Sequence, residues 1–292
     1  MRWIGLVFGL LLFSGAAPFA HGAESPTPQA CKPGPDGQID YAACASAAPA
    51  NSIVRKFALI NLGTQAFMAG DYAKAVAYYD EAQPPGKSER LYSDAGLHAF
   101  RGAAYDHVGR SAEALVDAKT AVGILAGDPS IPVPREVREA TVDQELVYAL
   151  ALPILYRAKA PEFPAAFAAY NRLPEADWYS LARKAALLEE LDDLPGSLEA
   201  GAKVVALQPE NPALLNNHCF ALTRAGRARE ALGFCERALV LAPDAAAVHD
   251  SYAEALAGAG QCSRARSERE AASQMDPSSA NYKKPVACTD QP

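Results

Sequence analysis

Five histidines, six cysteines and one dense run of acids are the residues of this 292-residue chain whose types could do chemistry. The histidines are His21, His98, His107, His218 and His249. A zinc site needs its ligands gathered at short spacing, as in His-x-x-x-His on one helix face or Cys-x-x-Cys in a turn. Neither spacing occurs, so no metal and no cofactor is expected. Glu189 and Glu190 with Asp192 and Asp193 could pair carboxylates for general acid–base work. They have no supporting partner in the sequence, and a solvated helix end is the plainer reading. The Gly-x-Ser-x-Gly elbow of hydrolases is absent, and there is no Gly-rich phosphate loop after a strand. No catalytic residue is expected, and the chain reads as a non-enzyme. What remains is cysteine chemistry, which depends on compartment: an even number of cysteines in an exported chain implies paired disulfides.

The N-terminus supplies the compartment. Arg2 is followed by an apolar run over residues 3–13, then by small residues at 14–17. The run has the length of a signal-peptide core and is too short to span a bilayer. The best cut falls after Gly22, with Ala20 at the −3 position, and a cut after Ala23 is nearly as good. Residues 1–22 are therefore read as a signal peptide and the mature chain as periplasmic or secreted. No later apolar stretch is long enough to span, so no membrane span is expected after signal removal. Half the chain is hydrophobic, which excludes a disordered composition. The net charge of −7 is scattered, without the clustered Lys and Arg that a nucleic-acid partner requires.

The elements that must position any site are helices. Residues 23–51 form a leader whose Pro26, Pro28, Pro33 and Pro35 predict an extended, loop-like segment. Beyond it, alanine-rich stretches of helical period alternate with short Gly or Pro breaks, and no alternating β-branched run appears. The chain also repeats itself. Gly226, Ala231, Ala238 and Pro243 recur 34 residues later as Gly260, Ala265, Ala272 and Pro277. The same interval earlier stand Asp192, Ser197, Val204 and Pro209, a weaker copy. Two further copies lie out of phase: Gly63, Gly70, Ala75, Tyr79 and Ala82, then Gly102, Tyr105, Gly109, Ala114 and Ala121. Small residues at these places let two antiparallel helices approach to about 8–10 Å.

This pattern resembles the tetratricopeptide repeat family, which sets a small residue in mid first helix, Gly at the turn, two small residues in the second helix and Pro after it. His98, Leu181, Leu215 and His249 stand where the family usually carries a large aromatic, and Ala126 stands for a terminal Pro. The resemblance implies an all-α, right-handed superhelical solenoid of helical hairpins. Residues 52–128 would be N-terminal repeats, 129–177 a divergent hairpin or joint, 178–279 C-terminal repeats and 280–292 a tail. In the middle segment, 136–156 predicts one helix kinked at Pro153, and 164–173 a second with Pro164 in its first turn. His98, His218 and His249 fall at core-facing positions of first helices.

The resemblance further implies that first helices line a concave face and that the protein is a scaffold for a polypeptide partner. The inward positions hold Phe57, Ile60 and Phe67 in the N-terminal repeats, an apolar lip. In the C-terminal repeats they hold Tyr179, Glu189, Asn216, Phe220, Arg224, Asp250 and Glu254, a mostly acidic groove. Only Asn216 and Arg224 fit the carboxylate-holding chemistry of the family's chaperone-binding members, so that specificity is not expected here. The alternative is a self-assembling structural protein whose repeats stack between chains. The cysteines fall into three local couples. Cys31 and Cys44 bracket the Pro-rich leader, Cys219 and Cys235 face each other within one hairpin, and Cys262 and Cys288 join the last helix to the tail. Cys219 and Cys235 equally suit two reduced core residues.

Overall fold

The computed structural model describes residues 28–50, 52–83, 95–127, 143–175 and 177–288. The expected signal peptide with His21, and residues 136–142 of the middle segment, lie outside them. The described residues hold thirteen α-helices and no strand. They fall into two compact units, one ending at Leu173 and the other starting at Pro174.

The first unit begins with a departure from the sequence expectation. The leader is not loop-like throughout: a 3-10 turn covers Gln29–Cys31, and α1 covers Tyr41–Ala47. Its Tyr-Ala-Ala-Cys-Ala-Ser-Ala stretch is alanine-rich, and Asp40 caps it by accepting the Ala43 amide at 2.9 Å. Cys44 and Ala45 of α1 bury against Ala58 and Leu59. The first hairpin is α2 (Ile53–Met68) and α3 (Tyr72–Ala82). Ser52 and Asp71 cap the two helices by accepting the Arg55 and Lys74 amides. Between them Gly70 turns the chain at φ 78°, which costs residues with a Cβ. The second hairpin is α4 (Ala95–His107) and α5 (Ser111–Ala126), and α6 (Gln144–Arg157) packs on both. Pro153 sits buried inside α6. Then α7 (Phe163–Tyr170) starts with a proline in its first turn and stops three residues short of the expected Leu173.

Close approach is visible at Gly63. A Cβ there would come within 2.6 Å of the Tyr79 ring, which is fully buried and lies directly over the glycine. The Tyr79 hydroxyl meets Thr64 Oγ1 at 3.1 Å, so the ring is pinned at its far end and cannot retreat. Gly63→Ala is expected to cost about 1–3 kcal/mol by overpacking, read as a lowered urea midpoint.

The second unit is three hairpins: α8 (Trp178–Glu190) with α9 (Leu194–Leu207), α10 (Pro212–Arg224) with α11 (Ala228–Leu241), and α12 (Ala246–Gly258) with α13 (Cys262–Met275). Asp177, Asp193 and Asn211 cap α8, α9 and α10. Gly226 and Gly260 turn at φ 74° and 79°, whereas the first turn uses Asp192 at φ 59°. The crossing positions Ala231, Cys219, Ala253 and Ala265 are fully buried, as the helix–helix approach demands. One cluster, built from Cys219, Leu222, Cys235, Tyr252 and Leu256 among others, joins the last two hairpins, and Val286 of the tail packs against it.

Candidate functional site

The ionisable groups divide into those that hold hairpins shut and those that face outward. In the first unit His98, Arg101 and Asp117 are 5%, 4% and 3% exposed. Arg101 grips Asp117 with two bonds, Nε to Oδ2 at 2.6 Å and Nη2 to Oδ1 at 2.9 Å, and His98 Nδ1 meets Oδ1 at 2.7 Å. Burial pushes the Asp117 carboxyl up, but the Arg101 and His98 hydrogen bonds outweigh it and hold the group below the usual aspartate range. A His–Asp pair at this depth is closed to any substrate. It fills the place of a large core side chain instead.

The last hairpin repeats the device. His249 Nδ1 meets Glu268 at 2.6 Å and its Nε2 donates to the Pro243 carbonyl at 2.8 Å. In both hairpins the acid follows the histidine by 19 residues, one helix across from it. That spacing was present in the sequence and could have marked both pairs. Asp250 and Glu254 both bind Arg269, which also donates to the Asn281 carbonyl of the tail.

These pairings correct part of the expected inward face. Phe67 is 1% exposed, enclosed edge-on by Tyr72 and Phe100 at 5.3 and 5.4 Å, so it is core. Asp250, also 1% exposed, is drawn inward by Arg269. Phe57 and Ile60 are half-buried by the leader: Tyr41 lies edge-on to Phe57 at 6.0 Å, and Ile60 joins the Cys44 cluster. The apolar lip is thus largely used by the chain's own leader. Glu189 is buried to 6% exposure and bound by Arg224 at 2.9 Å. Burial raises its carboxyl pKa and Arg224 opposes the rise without cancelling it.

In the second unit Tyr179, Asn216, Phe220 and Glu254 stay half-exposed and Arg224 exposed. Arg183 lies over the Tyr179 ring at 5.0 Å. Between α8, α9 and α10 a recess of about 20 Å³ opens beside Glu189. Ala182, Ala185, Ala186 and Ala221 are among its lining, with Ser197, Gly201 and His218. Of its lining, the sequence marks only Glu189 as an inward residue, because four alanines and a glycine carry no chemical signature.

All six cysteines lie in three pairs at disulfide distance. The Cα–Cα separations are 4.5 Å for Cys31–Cys44 and 5.5 Å for both Cys219–Cys235 and Cys262–Cys288. Among the described residues no three His, Cys, Asp or Glu side chains gather as a metal set, and no helix is long and apolar enough to cross a membrane.

No protein-family model matches the chain, and no curated protein matches it. Solved structures do. A tetratricopeptide repeat protein from Parabacteroides merdae ATCC 43184 is similar at a TM-score of 0.56 and 16% identity, covering 84% of this chain and 90% of that one. The chain has the tetratricopeptide-repeat fold. PilW, a widely conserved type IV pilus biogenesis factor, is similar at 0.54 and 14%, over 78% of this chain and 96% of its own. Numbered along a 34-residue tetratricopeptide repeat starting at Trp178, Pro212 or Ala246, Cys219 and Ala253 take the small crossing position of the first helix. Cys235 and Arg269 take one second-helix position that faces it, and Gly201 takes the same place in the repeat before.

Proposed function

We propose that this protein is an exported, non-catalytic scaffold that holds a segment of another polypeptide against the first helices of its second unit. The observation that carries this reading is the row Tyr179, Asn216, Phe220 and Arg224. It sets two aromatics, an amide and a guanidinium along α8 and α10, and none of the four is sunk into the core. Aromatic and arginine side chains of this kind dominate protein–protein contact energy. Three cysteine pairs at disulfide distance, and the apolar N-terminal run with small residues after it, support a periplasmic or secreted location.

Phe220→Asp tests the reading. The mature protein is used to capture partners from a cell-envelope extract, and the recovered partner is titrated against both forms. The variant is expected to bind at least tenfold more weakly, the loss of about 1.4 kcal/mol that a central aromatic readily supplies, with unchanged helical circular dichroism. Equal affinity would remove Phe220 from the site. Arg224→Asp is a poorer probe, since it would strand the buried Glu189.

Self-assembly is the second reading, and one observation favours it. Leu207, Leu241 and Met275 stand at one repeat position, 34 residues apart, and are 56%, 44% and 42% exposed, beside Val240 at 81%. A mass that rises with concentration would support it over the scaffold.

A further inference from the structure

The tail after α13 copies the contacts of a first helix without forming one. Counted on the 34-residue repeat, Tyr282 and Val286 stand where Val248 and Tyr252 stand on α12. Val248 packs with Leu215 and Ala238 of the hairpin before it, and Tyr252 joins the cluster with Cys219 and Cys235. Tyr282 is likewise buried, at 8% exposure, and Val286 packs against the cluster that holds Tyr252, Leu256 and Ala265. Pro285 falls between them and bars a helix through this stretch. The Asn281 carbonyl accepts from Arg269, which also binds Asp250 and Glu254 of α12, and Cys288 Sγ lies 3.6 Å from the Ala257 carbonyl at the far end of α12. The tail therefore runs beside α12 and in its direction, in the groove where a further repeat would seat its first helix.

Cys262 and Cys288, at disulfide distance, tether it there. The backbone hydrogen bonds of the tail are local: the Ser279 amide donates to Asp276 and the Lys284 amide to Asn281, at 3.3 and 3.2 Å. The two sulfurs of the tether are chemically unequal. Cys288 is half-exposed on irregular chain and open to attack. Cys262 is the first residue of α13, and Gln261 before it supplies no side-chain cap, because its amide oxygen is taken by Arg264 at 2.7 Å. The first-turn amides of α13 stabilise a thiolate on Cys262, so it leaves readily when Cys288 is attacked. The other pairs lack this combination. Cys219 and Cys235 are fully buried within their helices, and Cys44 lies in the apolar cluster of α1 and α2.

We propose that Cys262–Cys288 is a reducible latch: a dithiol opens this pair first of the three, and the tail then leaves its groove while the repeats stay folded. One thiolate of the dithiol attacks Cys288 Sγ, forming a mixed disulfide and releasing the Cys262 thiolate. The second thiol then closes on the first, so the reductant departs as a cyclic disulfide and its two electrons and two protons remain on the cysteine pair. Opening strips Val286 from its cluster and Asn281 from Arg269, which keeps Asp250 and Glu254. Nothing in this latch depends on a bound polypeptide.

The mature chain is exposed to graded dithiothreitol, its thiols are alkylated at each step and mapped by mass, and hydroxyl-radical footprinting reads Tyr282 in the same samples. Cys262 and Cys288 are expected to take label at the lowest dithiol, before Cys31, Cys44, Cys219 or Cys235. Over that step the Tyr282 footprint should rise about tenfold, as local release of a buried ring allows, while the buried Leu215 stays protected and helical circular dichroism is unchanged. Cys262→Ser with Cys288→Ser should show the raised Tyr282 footprint without reductant. If that double variant does not fold, the wild-type titration decides alone. Another pair opening first, or all three opening together, would overturn the latch. So would a Tyr282 that stays protected once the pair is open, or a Leu215 that becomes exposed along with it.

Discussion

Asp117→Asn is expected to destabilise the first unit by about 3–5 kcal/mol, the cost of stranding one partner of a buried ion pair. Arg101 is the stranded partner. Its guanidinium is 5% exposed and cannot shed its proton, so the variant buries a cation opposite a neutral amide. Domains of this size are held by only about 5–15 kcal/mol, so the loss approaches unfolding. A urea melt of the second unit's signals should be unaffected. The exposed pair of Lys203 and Glu199 provides the contrast: Glu199→Ala should leave both melts in place. The same site fixes an acid limit. The Asp117 carboxyl lies below its ordinary value when folded, so the unfolded chain binds the proton more readily. The stabilisation is therefore complete above the unfolded pKa of about 4, and is lost as pH falls through the folded value. Urea midpoints measured downward from pH 7 should fall in that acid range for the wild type, and lack this component in Asp117→Asn.

Reduction of all three cysteine pairs is expected to have an effect at least as large. The three pairs close loops 13, 16 and 26 residues apart. Loops of this size contribute roughly 2–4 kcal/mol each by limiting the unfolded chain. Two of them lie in the second unit, so its melt should drop further than that of the first. Their rates should differ as well. Cys219 and Cys235 are fully buried, whereas Cys31 and Cys288 are half-exposed, so the hairpin pair should be the last to yield to a dithiol. When Cys262–Cys288 opens, Tyr282 and Val286 lose their tether over the last hairpin. Peptide mass mapping without reduction checks the premise. It should show 31 with 44, 219 with 235 and 262 with 288. Six free thiols would contradict both the pairing and an exported location.

The repeat geometry was legible because backbone contact constrains it tightly. Gly63 must admit the Tyr79 ring, Gly226 and Gly260 must turn at positive φ, and Ala231 must let two helices touch. Such positions tolerate few residue types, so they show in the sequence. The inward face was less legible, because facing is decided by partners far along the chain. Asp250 counts as inward by position, yet Arg269 takes it into the core from the second helix. Phe67 counts likewise, yet Phe100 from the next hairpin encloses it. The leader misled for a related reason. Four of its five prolines lie before residue 36, and the helix that follows them depends on Asp40 as a cap and on the Cys44 face finding Ala58 and Leu59.

Site-specific photo-crosslinking tests most directly whether the first helices of the second unit hold a partner. A photoreactive residue is placed at Phe220 on α10 or, separately, at Val240 on the second helix α11, where it is 81% exposed. After irradiation in envelope extract, the Phe220 position should yield a covalent adduct with a distinct polypeptide, and the Val240 position should yield none of it. Adducts with a distinct polypeptide formed only from Val240 would contradict the placement on the first helices, and a product of twice the chain's own mass from either position would contradict the scaffold and favour self-assembly.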